Sequence, residues 1–324
     1  MTINETLAQY SDWAFQSSFA VLLLALILLI VQYASTRAHA VQEKELVSAG
    51  VGARSAETGV PGRVAQQPKK PMSERFGGMG AAVLVVGTVL IIAAIVLRGF
   101  SARRFPLGNM YEFVAMACAA ALVVGLVLLS KPAHRPMWVF LLVPVLILMF
   151  LAGTVLYADS APVVPALQSY WLPIHVTIVS VGSGVFLVSG VASLLFLLRM
   201  RYPRAEERTG IIAKVAERLP DAQMLDRLAY KTTIIGFPLF GAGVILGAIW
   251  AEAAWGRFWG WDPKETVSFI AWVIYAAYLH ARATSGWRET KAAWINVAGF
   301  VAMLFNLFVI NIVVSGLHSY AGLN

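Results

Sequence analysis

Cysteine is nearly absent: Cys118 is the one thiol in 324 residues. A single cysteine cannot close a disulfide within its own chain, and no Cys-x-x-Cys pair exists for thiol exchange or metal binding. Cys118 falls inside an apolar window, where a lone cysteine is a small packing residue. Whatever chemistry the protein performs, it does not use its own thiols. Charge is scarce as well. Only 13% of residues are charged, against about 25% in soluble domains.

What is present is apolar sequence in long runs. Hydrophobic residues make up 59% of the chain, and a bilayer core of about 30 Å takes roughly 20 of them in a helix. Charge-poor windows occur at Trp13–Thr36, Gly77–Leu97, Phe113–Ser130, Pro136–Ala158, Ser160–Leu198, Thr232–Ala251, Thr266–Ala281 and Ala292–Asn324. The fifth and eighth exceed one span, so each includes a loop or tail, and the seventh is short. These windows predict an all-α, polytopic membrane helix bundle with about eight transmembrane helices.

The net charge of +8 is explained by topology, which sets nucleic acid aside. With the N-terminus outside, the inner segments carry twenty of the 25 Lys and Arg residues. Basic residues are retained on the cytoplasmic side, so both termini are expected outside. The start of the chain carries Glu5 and Asp12 and no Lys or Arg before the apolar run. This is the reverse of a secretory leader, so residues 1–37 are expected to stay as a first helix.

Residues 38–75 are rich in Gly, Ala, Gln, Pro and charge, a composition that cannot bury enough apolar surface to order itself. They are expected to form a flexible cytoplasmic linker ahead of a seven-helix body over 76–324. Between 201 and 230, charged residues alternate with Ile211, Ile212, Val215, Leu219, Met224, Leu225 and Leu228. That pattern predicts amphipathic helix on the inner surface, broken near Pro220.

An outer loop at 250–266 is expected to hold Trp255-Gly-Arg-Phe-Trp-Gly-Trp-Asp-Pro-Lys-Glu265, with three tryptophans and a phenylalanine in seven residues. Interfacial belts also use tryptophan, though as scattered residues. The alternative is a flat platform of Trp255, Trp259 and Trp261 for a large planar ligand, with Arg257 and Lys264 available to its acidic groups. Composition leaves the two readings level. Asp262-Pro263-Lys264-Glu265 reads as a helix start: Asp at the N-cap, Pro at the first position and Glu completing a capping box.

Of the five histidines, His39 and His134 fall in inner basic segments and are expected to be solvated. The other three lie in or at the ends of apolar helices, where an ionisable group is expensive and points to function. His175 enters the fifth span from outside and His318 ends the eighth. Asn311, Ser315 and His318 are spaced i, i+4, i+7 and would share one helical face. His280 lies seventeen residues into the seventh span, roughly 25 Å inward at 1.5 Å per residue. Two sites at different depths are implied.

Two outer imidazoles beside aromatic residues fit a bis-histidine haem site, whereas zinc wants three or four protein ligands. A b-type electron-transfer cytochrome is the rival, but it needs histidines opposed on paired helices. The pattern Trp-Gly-x-x-Trp-x-Trp-Asp-x-Lys-Glu at 255–265, the flanking histidines and the eight spans resemble the CcsA/ResC (CcsB) family of c-type cytochrome biogenesis, System II, within the WWD-motif haem-handling proteins. Asn109-Met-Tyr-Glu112 resembles that family's outer-loop pattern, and the likeness covers about residues 75–324.

The resemblance implies haem b, with His175 and His318 as axial ligands of an outer haem and His280 in a transmembrane haem site. Trp255, Trp259, Trp261 and Asp262 would form the platform. It implies a ResB-type membrane partner, apocytochrome c substrates, and a multi-pass place in the inner or plasma membrane with the tryptophan loop extracytoplasmic. The expected activity is that of a haem lyase component joining haem to Cys-x-x-Cys-His. Related CcmC-like proteins deliver haem without attaching it, so a haem exporter is the alternative.

Overall fold

The computed structural model describes residues 3–48, 72–163, 167–203 and 210–318, apart from the side chains at 36–48 and 133. Regular structure there is entirely helical: α1 (Glu5–Ser48), α2 (Met72–Ala102), α3 (Met110–Leu128), α4 (Pro136–Thr154), α5 (Trp171–Arg201), α6 (Ile211–Glu217), α7 (Ala222–Trp255), α8 (Pro263–Ala283) and α9 (Thr290–Ile312). A single 3₁₀ turn, Pro132–His134, links α3 to α4. Of the predicted 38–75 linker, residues 38–48 continue α1 and 72–75 begin α2, whereas residues 49–71 lie outside the described residues.

Seven helices, all but α6 and α8, are long and apolar enough to cross a bilayer. The 21 residues of α8 span about 31 Å at 1.5 Å each, a membrane's width. Lys264 and Glu265 at one end, with His280 and Arg282 at the other, lower its hydropathy. The chain is a polytopic membrane bundle, as its apolar windows predicted.

The central helix is α5, packed against α3, α7 and α9. Lipid tails give apolar helices no hydrophobic reason to associate, so small residues and polar contacts decide which faces meet. The buried face of α5 carries Gly182, Gly184, Ser189, Gly190 and Ser193. A Cβ on Gly182 would meet the Phe240 backbone of α7 at 3.2 Å. Ser189 Oγ lies 2.7 Å from Thr233 Oγ1 of α7, and Asn296 Nδ2 of α9 donates to the same Ser189 Oγ at 2.9 Å. On the flank, α1 docks along α2, with Ser11 and Ser18 hydroxyls donating to the carbonyls of Ala94 and Gly87, each at 2.8 Å. Cys118 is buried between α3 and α4, its Sγ 3.9 Å from the Val145 carbonyl.

Further helix boundaries differ from expectation, and α7 and α8 leave only 256–262 of the expected 250–266 loop between them. The amphipathic stretch does break near Pro220, but only α6 is a separate short helix; Met224, Leu225 and Leu228 belong to the first turns of the 34-residue α7. At the other end of the body, α9 stops at Ile312. Ser315 and His318 therefore follow on a non-helical segment, and the shared helical face with Asn311 is not formed.

Candidate functional site

One end of the bundle is built by the N-terminal ends of α3, α5 and α8 and the C-terminal ends of α7 and α9. They enclose an open-mouthed cavity of about 1200 Å³ counting its mouth. Its lining is largely apolar, including Phe113, Leu172, Val244 and Met303, with His175, His318, Trp255, Trp259 and Lys264 among the walls. Five of the nine residues singled out in the sequence thus meet at one cavity.

Each imidazole is tethered through Nδ1. His175, one turn into α5, has Nδ1 2.7 Å from the Gly243 carbonyl of α7. A carbonyl only accepts, so Nδ1 carries the proton and the lone pair resides on Nε2. His318 has Nδ1 2.7 Å from Asp262 Oδ2, which fixes the same tautomer. Trp250 packs near both rings, 6.1 Å from His175 and nearly parallel to it, and 5.9 Å from His318. Sequence reasoning passed over Trp250 because it sits inside α7, outside the dense motif. Its 1% exposure, unusual for a tryptophan near a helix end, appears only in three dimensions.

The tryptophan loop is ordered by Glu265. Its carboxylate accepts from the backbone N–H of Gly260 at 2.9 Å and of Asp262 at 3.1 Å, and from Arg257 at 3.2 Å. Asp262 accepts from the Lys264 N–H at 3.1 Å, so the capping box at the start of α8 is formed as expected. Arg257 also lies over the Trp255 ring at 5.6 Å. Trp261 takes φ 59°, a left-handed conformation that costs a bulky residue about 1–3 kcal/mol. Its ring is turned outward and is 69% exposed, while Trp255 and Trp259 face the cavity.

Lys264 is a polar part of the cavity wall, while Asp262 stands behind His318, outside the lining. Burial raises the Asp262 carboxyl, but the His318 hydrogen bond and the N–H groups of Leu317 and Lys264 outweigh it and hold it at about 2. Burial lowers His318 below its ordinary 6.5 against the opposing pull of Asp262, so the ring is neutral at physiological pH. Lys264 Nζ donates to Asn311 Oδ1, placing an amino group on the wall of a largely apolar cavity. Among the described residues no three His, Cys, Asp or Glu side chains gather to hold a metal ion.

His280 is elsewhere. It lies near the far end of α8, exposed on the outside of the bundle. His134 sits in the 3₁₀ turn, and the His39 side chain lies outside the described residues.

A second group of charges supports the cavity rim. Arg104 grips Glu112 with two bonds, at 2.8 and 3.0 Å, and the Gly108 N–H donates to the same carboxylate at 2.6 Å. Asn109 caps α3 through the Glu112 N–H at 2.9 Å. Arg98, 1% exposed, lies 3.5 Å from Glu112 and 3.1 Å from Asp12. The Asn109–Glu112 motif thus shapes the wall formed by residues 107–110.

A family model described as Cytochrome C assembly protein matches residues 107–318, which begin and end on the first and last residues lining the cavity. The chain is 32% identical over 272 residues to the cytochrome c biogenesis protein CcsA of Mesostigma viride, covering 78% of this chain and 88% of that protein. It is 35% identical over 276 residues to CcsA of Prochlorococcus marinus (strain MIT 9303), covering 75% and 86%. Among solved structures, one titled Cytochrome c Heme Lyase CcmF superposes with a TM-score of 0.64 at 16% identity. That match covers 95% of this chain and 47% of CcmF, so it is a likeness of fold over about half the larger protein.

Proposed function

The chain belongs to the CcsA family of cytochrome c assembly proteins, and from that premise we propose that it is the haem-handling subunit of a membrane cytochrome c synthase. The observation that carries this reading is the convergence of His175 and His318 on one cavity walled by Trp255 and Trp259. Haem b is the cargo. Its iron suits two neutral imidazoles, its macrocycle suits apolar and aromatic walls, and its propionates suit Lys264. Arg257 is committed to Glu265 and supports Trp255 from behind, so in this reading it shapes the platform.

The work asked of these residues is orientation. Holding reactants in place removes much of the entropic barrier to their joining. Each thiol of Cys-x-x-Cys-His adds across a vinyl group: one S–C bond forms and the thiol proton ends on the neighbouring vinyl carbon. No electrons change hands in that addition, and no residue of this chain need act as nucleophile. His280, about 25 Å away along α8, belongs to an inner haem station. Its exposed position suits a second ligand from a ResB-type partner. The distribution of Lys and Arg supports an extracytoplasmic tryptophan loop on the inner or plasma membrane, with the connection between α1 and α2 on the cytoplasmic side.

Reconstitution tests the proposal. Co-expression of the chain, a ResB-type partner and an apocytochrome is expected to yield covalent haem, and replacing both His175 and His318 by Gly is expected to abolish it. Covalent haem at wild-type yield in the double variant would refute the ligand assignment. Haem bound without any thioether product would leave the chain an exporter.

A further inference from the structure

Asp262 does more than begin a helix. One Oδ2 accepts from the Lys264 N–H at 3.1 Å and lies 2.7 Å from His318 Nδ1, while Oδ1 accepts from the Leu317 N–H at 2.8 Å. The carboxylate therefore joins the first turn of α8 to a segment more than fifty residues later in the chain. That segment is non-helical beyond Ile312, so these two bonds help present His318 to the cavity. The backbone is fitted to the same contact: a Cβ on Gly316 would lie 2.7 Å from Asp262 Oδ1, closer than side-chain atoms pack.

The two histidines are consequently unlike. His175 gives its Nδ1 proton to a neutral peptide carbonyl on α7, whereas His318 gives it to an anion. A carboxylate behind an imidazole fixes its tautomer and ring plane and increases electron donation from the far nitrogen. We propose that Asp262 is the positioning residue of the outer site, holding His318 in the Nε2 lone-pair tautomer and making it the stronger donor of the two histidines. This rests on the haem reading above, and it moves Asp262 from the platform to a place behind the ligand.

The experiment uses the full chain with its partner in membranes. D262N keeps an amide oxygen for the helix cap but removes the charge, and crowding against the Asp262 carboxylate is supplied independently by Gly316→Ala, which leaves every polar group intact. Both variants are expected to retain haem and to raise its midpoint potential, because a weaker donor stabilises the oxidised iron less. Thioether yield is expected to fall several-fold, and Asp262→Glu to recover part of it. In the haem-free chain, histidine ¹⁵N resonances are expected to show the Nδ1–H tautomer of His318 in the wild type and a mixture in D262A. Should D262A fail to insert, D262N and G316A decide. Wild-type potential and tautomer in both would overturn the proposal. Haem content unchanged by the His175 and His318 replacements would instead overturn the haem reading itself.

Discussion

The position of His175 depends on a missing methyl group. A Cβ on Gly247 would lie 2.6 Å from His175 Cε1, so Gly247→Ala must turn the ring away from the Gly243 carbonyl. Overpacking of this kind costs about 1–3 kcal/mol, and occupancy of the outer site by haem is expected to drop roughly five- to a hundredfold. Haem titration into purified protein measures it, with helical content as the control. The acid behaviour of the facing pair is equally specific. Asp262 lies below its ordinary 3.8, at about 2. The stability it contributes is therefore complete above 3.8 and drains as pH falls through about 2. His318 lies below its ordinary 6.5, so its neutral form is favoured by folding and acidification below 6.5 works against the native arrangement. A His318 titration midpoint above 6.5, read by ¹⁵N resonances, would mean that the carboxylate outweighs burial. At this scale the sequence was only partly legible. Residue types placed His175, His318 and the tryptophans at one depth, but which tryptophans turn inward depends on the φ of Trp261 and on Glu265, and neither is visible in spacing.

Helix ends were the more readable level. The capping box of α8 was legible because its partners lie within three residues of one another, and local chemistry is written locally. The charges around Glu112 were not, since Asp12, Arg98, Arg104 and Glu112 come from α1, α2, the following loop and α3. In sequence they look like unrelated residues at the margins of apolar runs. Their arrangement makes a firm prediction for Arg98→Ala. It would leave the Asp12 carboxylate without its guanidinium, and because Asp12 is 22% exposed the loss is expected to stay below the roughly 3–5 kcal/mol of a fully buried pair. Thermal melting in detergent is expected to shift down accordingly, and D12N, which removes the stranded charge too, is expected to recover part of the loss. The end of α9 was misjudged for a related reason. Apolar residues continue past Ile312 to Val314, so hydropathy gave no sign of a stop, whereas the anchor that draws His318 aside lies on α8.

For the molecule as a whole, the bundle was legible because membrane helices are selected by length and polarity alone. The order of packing around α5 was not, because it is set by small residues and hydroxyls spread over α5, α7 and α9. The orientation drawn from basic residues predicts that Phe258→Cys reacts with a membrane-impermeant maleimide on intact cells, while Lys214→Cys reacts only after permeabilisation. Both native side chains are exposed, and the reverse pattern would invert the topology. That labelling is simple because Cys118 is fully enclosed. On the haem-lyase function proposed above, the same enclosure has a consequence for a machine that would bring thiols to reactive vinyl groups. Such a machine is at risk of becoming its own acceptor, ending its turnover in a dead covalent product. With its one sulfhydryl sealed between α3 and α4, this chain has nothing of its own to offer the cargo, and the thiols that reach it are those of the substrate.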